Sequence, residues 1–273
     1  MKQYIFYIFI IILFFSCGNK QNESDAQAKF SEIEQLVNAG KYNAAKIALD
    51  SFHINFSEMI SFRHKALALE DTLSMRQNRR IITFCDSMLV INEKKIDSLH
   101  TFFSFQKDEK FQVFGNYIYY KQTQNANIGN TFRAYIDENN DFFIVKNFFG
   151  GLPKNCSIAL KVSFGDLYST TDTIPKNSPA RYQFEADGKI IESLTLKNEQ
   201  IEKFAAFINQ FSQNDLFVNY VNSGRYQLSN NEKEIISVSY QFWKLQKEIE
   251  NLKTQKNKAV KKTIAVLSPS TQN

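Results

Sequence analysis

The amino-acid sequence predicts an α+β fold in which a small antiparallel β domain separates two helical regions. The first reason is the distribution of glycine and proline. Neither residue occurs between Gly40 and Gly115, whereas seven of the nine glycines and three of the four prolines lie within residues 115–228. A long stretch without these residues favours helices, and their clustering favours strands and turns. The second reason is that apolar residues recur in steps of three and four on both sides of this central region.

The chain begins with a short apolar run that ends at a cysteine. Lys2 precedes the uncharged stretch 4–15, which is shorter than the roughly 20 residues that span a bilayer. Its length is typical of the apolar core of a signal peptide. Ser16 and Cys17 follow, in an order that resembles a bacterial lipobox. We therefore expect residues 1–16 to be a lipoprotein signal peptide and Cys17 to be lipidated; the alternative is an ordinary secreted or single-span protein.

The lipobox resemblance implies a lipid-anchored protein of the cell envelope. In such proteins each buried methylene of an acyl chain contributes about 0.8 kcal/mol to membrane binding. Phe14 departs from the leucine that usually stands three residues before the cysteine. Gly18, rather than aspartate, follows Cys17, which by resemblance to Gram-negative sorting favours the outer membrane and leaves the periplasmic and surface faces open. The polar residues 17–28 are expected to form a flexible tether.

Residues 29–114 are predicted to form a helical hairpin and a long helix. Two apolar stripes flank Gly40, which is placed as a helix C-cap. The junction GKYNAA resembles the turn of a tetratricopeptide repeat. Only one copy is visible, and a solenoid needs about three, so a lone hairpin is the simpler interpretation.

The long helix is predicted to run from Ser57 to about Val113 with coiled-coil spacing. Its main apolar stripe consists of Ile82, Cys85, Leu89, Asn92, Ile96, Leu99 and Phe103. A second stripe consists of Ile81, Phe84, Met88 and Ile91. Two stripes imply that the helix contacts two neighbours. Arg79 and Arg80, with Arg76, predict a solvated break between two coiled-coil halves, with a basic patch as the alternative.

Residues 115–228 are predicted to form the antiparallel β domain with one covering helix. The candidate strands are 117–121, 132–136, 142–147, 158–164, 181–186, 190–196 and 217–221. Asp187 and Gly188 predict a type I′ hairpin turn, and the segment DENND (137–141) predicts another turn. Asn198 is expected to cap the covering helix.

Residues 229–262 are predicted to form a C-terminal coiled-coil helix that packs back, antiparallel, on the long helix. It opens with SNNE, a capping box in which Ser229 and Glu232 exchange hydrogen bonds. Pairing of this helix between chains is the alternative, and we expect a monomer. From Lys244 onward there are seven lysines and two glutamates, so the basic charge describes the end of the chain and not a nucleic-acid-binding face. Residues 263–273 are expected to be disordered.

The sequence contains no pattern that catalysis or metal binding requires. HExxH, CxxC, GxSxG, P-loop and GxGxxG motifs are missing from it. The histidines lie on predicted helices without partners at ligand spacing. The segment DENND resembles a calcium loop, but Phe142 and Phe148 stand at the glycine and glutamate positions of that loop. We therefore assign no catalytic, metal or cofactor-binding residue. Cys85 and Cys156 are expected to be separate buried thiols, with a disulfide as the alternative.

Together, the lipobox-like start, GKYNAA, the long helix running into FGNYIYY, the hairpin AYIDENNDFFIV and the closing helix resemble uncharacterised lipoproteins of Bacteroidota. The resemblance implies an envelope location and this architecture, and it brings no activity. We expect a non-enzymatic, lipid-anchored protein whose helices present the β domain to a protein partner, with no nucleic acid bound. The alternative is a glycan-binding or hydrolytic module built around the loop 148–153 and nearby carboxylates.

Overall fold

The chain has the α+β fold that its sequence predicts. The computed structural model describes residues 18–122, 130–150, 157–186, 188–220 and 224–268. These residues divide into two compact units. One comprises the described parts of Met1–Met88 and Leu252–Asn273, and the other comprises those of Leu89–Asn251. Two long helices contribute residues to both units.

The helical unit is built from helix α1 (Gly18–Asn38), helix α2 (Tyr42–Asn55), the first part of helix α3 (Ile60–His100) and the end of helix α5 (Asn230–Leu267). Helices α1, α2 and α3 share one apolar cluster. Its buried members are Ala26, Phe30, Ile33, Val37, Ala45, Leu49, Phe52, Phe62, Ala66 and Leu73.

Gly40 ends α1 as predicted. Its φ of +71° lies in the left-handed region, where glycine is favoured. The N–H of Gly40 donates to the carbonyl of Val37 at 3.1 Å, and the N–H of Lys41 donates to the carbonyl of Leu36 at 3.0 Å. These two bonds form a Schellman motif, which satisfies the last carbonyls of α1 and starts the turn into α2.

The flexible tether predicted for residues 17–28 is instead helical from Gly18 onward. The physical reason is Ala26, which is fully buried in the same cluster as Phe30 and extends the apolar face of α1 by one turn. Neither glycine nor proline interrupts residues 19–39, so the polar composition did not prevent the helix from continuing.

Helix α3 differs from its prediction at one end and in its middle. It is continuous across Arg79 and Arg80, so no break divides it. It ends at His100 and not near residue 113, because Phe103 and Phe105 alternate and belong to a strand. In that strand their rings contact Tyr119 at 5.8 Å and Tyr117 at 5.2 Å between centroids. The β domain therefore begins at Phe103, before the predicted boundary at 115.

The two stripes of α3 have different environments. In the main stripe Cys85, Leu89 and Asn92 are buried, as the spacing predicts. In the second stripe Ile81, Phe84 and Ile91 are 40%, 57% and 45% exposed, so this side of α3 does not have the second neighbour that was predicted for it among the described residues.

Helix α5 packs antiparallel on α3, which confirms the predicted return of the C-terminal helix. Near the end of α3, the rings of His100 and Phe242 lie 6.0 Å apart. Further along α5, Lys256 Nζ lies 2.7 Å from Asp86 Oδ1. The helix continues to Leu267, five residues beyond the predicted end at 262, and residues 269–273 lie outside the described part of the chain.

The β domain contains two antiparallel sheets. Its strands are β1 (Phe103–Gln106), β2 (Asn116–Tyr119), β3 (Phe132–Asp137), β4 (Phe142–Phe149), β5 (Leu160–Phe164), β6 (Leu167–Thr170), β7 (Arg181–Ala186), β8 (Lys189–Lys197), β9 (Phe217–Tyr220) and β10 (Gly224–Gln227). The described strands form a six-stranded sheet in the order β1-β2-β3-β4-β8-β7 and a four-stranded sheet in the order β10-β9-β5-β6. The seven predicted strands are confirmed, and within the described residues their ends differ from the predicted ones by two residues or fewer.

Strands β1, β6 and β10 were not predicted. Strand β1 lay within the stretch assigned to α3. Strand β6 pairs with β5 from Phe164↔Leu167 to Lys161↔Thr170, and its own side chains are mostly exposed. Strand β10 pairs with β9 from Gly224↔Tyr220 to Gln227↔Phe217 and is likewise mostly exposed. Short, exposed edge strands such as β6 and β10 have no apolar periodicity to reveal them.

Asn198 does not cap the covering helix α4 (Glu199–Gln210) through its side chain. Its Oδ1 accepts the N–H of Phe142 at 2.9 Å, and its Nδ2 donates to Asp141 at 2.6 Å. The residue has a φ of +50° and joins β8 to the β3–β4 turn. The helix itself is confirmed, and its apolar face packs into the core that the two sheets share with α5.

We predict that Leu245→Ala combined with Ile249→Ala lowers the free energy of unfolding. Ile249 is buried, Leu245 is half-buried, and large-to-alanine changes in cores cost about 2–5 kcal/mol. Thermal unfolding of the chain without residues 1–17 measures the effect, with the exposed Glu250→Ala as the control. Because α3 and α5 pack within one chain, the midpoint should not change with protein concentration. A concentration-dependent midpoint would contradict this packing.

Candidate functional site

The three histidines have different surroundings. His53 Nε2 is 3.4 Å from Glu70 Oε1, across α2 and α3. His64 is exposed, and the ring of His100 packs on Tyr117 and Phe242. Within the described ranges, no group of three or more histidine, cysteine, aspartate and glutamate side chains is placed to hold a metal ion.

The DENND segment is a hairpin turn between β3 and β4, as predicted. Asp137 Oδ1 accepts the N–H groups of Asn139 at 2.9 Å and Asp141 at 2.8 Å. Asp141 accepts from Asn198 and lies 3.2 Å from Lys197 Nζ. These hydrogen bonds, that from Asn198 first, hold the pKa of Asp141 below its usual range. The carboxylates that resembled calcium ligands are therefore occupied in stabilising the turn.

Three sites named from the sequence lie wholly or partly outside the described residues. Cys17 and Cys156 are among them; Cys85 is a buried free thiol. Of the loop 148–153, residues 151–153 are outside. Phe148 is buried, with its ring edge-on to Tyr220 at 5.0 Å between centroids, so it is not available to stack on a sugar.

The centre of the β domain contains a buried lysine that the sequence analysis did not single out. Lys146 is only 1% exposed and lies on β4, in the otherwise apolar run FFIVKNFF. Its Nζ donates to the carbonyl of Asn130 at 2.8 Å. The ammonium lies 3.8 Å from the ring centroid of Tyr226 and 4.9 Å from that of Phe132. One charged residue inside an apolar strand was the signal that could have revealed this position.

Glu232 supplies the nearby negative charge. It is 3% exposed, and its two carboxylate oxygens accept four hydrogen bonds. Oε1 accepts from the Phe132 N–H at 2.8 Å and the Tyr226 hydroxyl at 2.7 Å. Oε2 accepts from the Ser229 N–H at 2.8 Å and its hydroxyl at 2.7 Å. The predicted capping box is therefore confirmed, and the same glutamate also binds both sheets.

Burial lowers the pKa of Lys146 to about 8, against the opposing attraction of Glu232. The ammonium of Lys146 is enclosed by aromatic rings and bonded to a carbonyl. We therefore interpret Lys146 as the internal counter-charge of Glu232, which stabilises the fold. The chemical groups that this centre contains are thus used by the protein itself.

Among the described residues of the β domain, the apolar side chains with the highest exposed fractions lie in the hairpin of β1 and β2. We call residues 102–120 the aromatic hairpin. Phe111 and Val113, between the two strands, are 85% and 79% exposed. The other exposed apolar residues are Phe102, Phe105, Phe114 and Tyr120. The Phe102 and Tyr120 rings stack at 6.2 Å between centroids, so these two side chains hold each other in place.

Gly115 fixes the end of this hairpin. Its N–H donates to Glu138 Oε2 at 2.7 Å, and that carboxylate also lies 3.4 Å from Lys107 Nζ. A β-carbon at position 115 would collide with the ring of Phe105. The loop is therefore held against β3 although its apolar side chains face the solvent.

Comparison with known proteins identifies no relative. The chain matches no protein-family profile, no curated protein and no solved structure. The resemblance to Bacteroidota lipoproteins therefore stays a prediction. None of the described helices is both long enough and apolar enough to cross a membrane.

We predict that Lys146→Met changes how stability depends on pH. The folded pKa of about 8 is lower than the unfolded value of about 10.4, so the folded state binds this proton less well. Stability of the wild type should fall as pH falls from above 10 to below 8. Relative to Lys146→Met, the loss should be about 2 kcal/mol between pH 10 and pH 7. Urea unfolding at both pH values measures it; parallel pH curves for the two proteins would contradict the buried charge.

Proposed function

We propose that this protein is a lipid-anchored, non-enzymatic module of the cell envelope that binds a protein partner through the aromatic hairpin. The observation that carries the proposal is the exposure of Phe111 and Val113 in a loop whose backbone is fixed by Gly115 and Glu138. Phe111, Val113 and Phe114 are exposed within four residues of one another, and exposed apolar side chains that cluster in this way commonly mark a binding site.

The energy available from this surface is sufficient for specific binding. Complete burial of one large apolar side chain contributes about 1.5–3 kcal/mol. Aromatic residues that are already held in place lose little conformational freedom on binding, which is why they dominate interface energetics. Several such residues on one hairpin therefore favour a partner with apolar pockets.

The charges in the loop of the aromatic hairpin favour a protein partner over an anionic membrane surface. Lys107 and Lys110 are balanced by Asp108 and Glu109, so the segment 107–114 has no net charge. Binding to anionic lipid by basic segments gains about 1 kcal/mol per lysine or arginine, and a neutral loop lacks this attraction.

The proposed anchor is Cys17, at the outer membrane. Support comes from the order of Lys2, the apolar stretch 4–15, Ser16 and Cys17. Acyl chains on this cysteine would hold the protein at the membrane without a spanning helix.

Lipidation has a direct test. Cys17→Ser should abolish incorporation of labelled fatty acid and leave the precursor unprocessed, because the thiol is the acceptor. Metabolic labelling followed by gel electrophoresis measures both effects, and Cys85→Ser is the matched control that should behave as wild type. Release of the wild-type protein from membranes without detergent would contradict the anchor.

The hairpin surface is tested by Phe111→Ser combined with Val113→Ser. Loss of two exposed apolar side chains should remove most photo-crosslinking from a reactive residue at position 114 in native membranes, without lowering the melting temperature. The matched control is Leu167→Ser with Tyr168→Ser, which removes two exposed apolar residues from β6. Equal crosslinking by the hairpin variant and wild type would contradict the proposed surface.

A further inference from the structure

A groove in the helical unit combines an apolar floor with a basic rim. It lies where the α1–α2 turn, α3 and the last turns of α5 meet, and its volume is about 730 Å³. Tyr42, Ile81 and Phe84 contribute the apolar surface of the floor. Lys41, Arg80 and Lys262 contribute the rim. We call this site the basic groove.

The charge of the basic groove is not compensated. Among the described residues, no acidic side chain lines it. The side chains of Lys41, Arg80 and Lys262 have no ion-pair or hydrogen-bond partner in the described part of the chain. Lys256, by contrast, forms an ion pair with Asp86 at 2.7 Å, so its charge is already neutralised. Three unpaired cations around an apolar floor define the chemistry of what would bind.

We propose that the basic groove binds an acidic amphipathic helix of a protein partner. Ile81 and Phe84 lie on the exposed second stripe of α3, at helical spacing. The surface between neighbouring helices accepts the side-chain ridge of a third helix. An apolar face of the incoming helix covers Ile81 and Phe84, and carboxylates at its borders meet Lys41, Arg80 and Lys262. This pairing supplies the second neighbour that the two stripes of α3 predicted.

The same charges exclude a second copy of this chain as the occupant. An isologous contact would bring two basic rims together, and like charges across an interface oppose association. The basic groove also belongs to a different compact unit from the aromatic hairpin. The inference therefore goes beyond the proposed function and fails or holds independently of it.

The test uses the full chain in detergent and a set of fluorescent helical peptides. Each peptide is about 18 residues long, or five turns, with leucines along one face and glutamates at its borders in different registers. A matched set carries lysines in place of the glutamates. Fluorescence anisotropy at low and high salt measures binding, and sedimentation with phosphatidylglycerol vesicles tests an anionic lipid surface instead.

At least one acidic peptide should bind, the lysine peptides should not, and high salt should weaken the complex. The variant Lys41→Gln, Arg80→Gln, Lys262→Gln should bind roughly tenfold more weakly, since each exposed ion pair contributes modestly. Phe84→Ser should also weaken binding. The matched control, Lys94→Gln, Lys95→Gln, Lys247→Gln, removes three charges from a separate groove in the β-domain unit and should bind as wild type.

Four results would overturn the inference: no acidic peptide binds, the groove variant binds as wild type, the control variant weakens equally, or vesicles bind while the peptides do not. The aromatic-hairpin variant should bind the peptides normally. Loss of native crosslinking at position 114 with intact peptide binding would separate the two surfaces.

Discussion

The carboxylate of Glu232 is the interaction on which the arrangement of the β domain depends. One oxygen completes the capping box that starts α5, and the other accepts from β3 and β10. A single side chain thus joins the six-stranded sheet, the four-stranded sheet and the C-terminal helix. A buried carboxylate is unfavourable without such partners, but four donors satisfy both oxygens, and charge-assisted bonds of this kind are the stronger ones. The cap therefore fixes the start of α5 beside both sheets.

Lys146 completes the balance of charge in the same interior. Its ammonium, held by the Asn130 carbonyl and the faces of Tyr226 and Phe132, offsets the negative charge of Glu232. Burial still favours the neutral amine, as its lowered pKa indicates. A buried ionic group of this kind adds less to stability than apolar packing of the same volume would, and it is costly to leave alone. In the arrangement of the two sheets seen here, both charges have partners.

The sequence predicts local features of this fold well and non-local ones poorly. The capping box, the Gly40 turn and the hairpin around Asp137 depend on residues within a few positions of one another, and all are confirmed. The predicted end of α3 near residue 113 was wrong: the helix ends at His100, because strand β1 is stabilised by contacts with β2 that no helical period contains. Asn198 binds Asp141, 57 positions away, rather than its own helix. The charge of Lys146 inside an apolar strand marks its position, but its contacts with Tyr226 and Glu232 could not be predicted, because these residues lie about 80 positions away along the chain.

Apolar periodicity coincides with burial in the core but not on the two exposed apolar surfaces. Where helices and sheets meet, apolar periodicity and burial agree, as for Cys85 and Leu89 on α3. On the second stripe of α3 and on the aromatic hairpin they disagree, since side chains that a core would bury face the solvent. Folding alone gains nothing from Phe84 or Phe111 in those positions, and each adds apolar surface that water disfavours. A disagreement between apolar periodicity and burial is expected where a sequence serves binding as well as folding. The two surfaces also differ in charge, one neutral and one basic, so they suit partners of different chemistry.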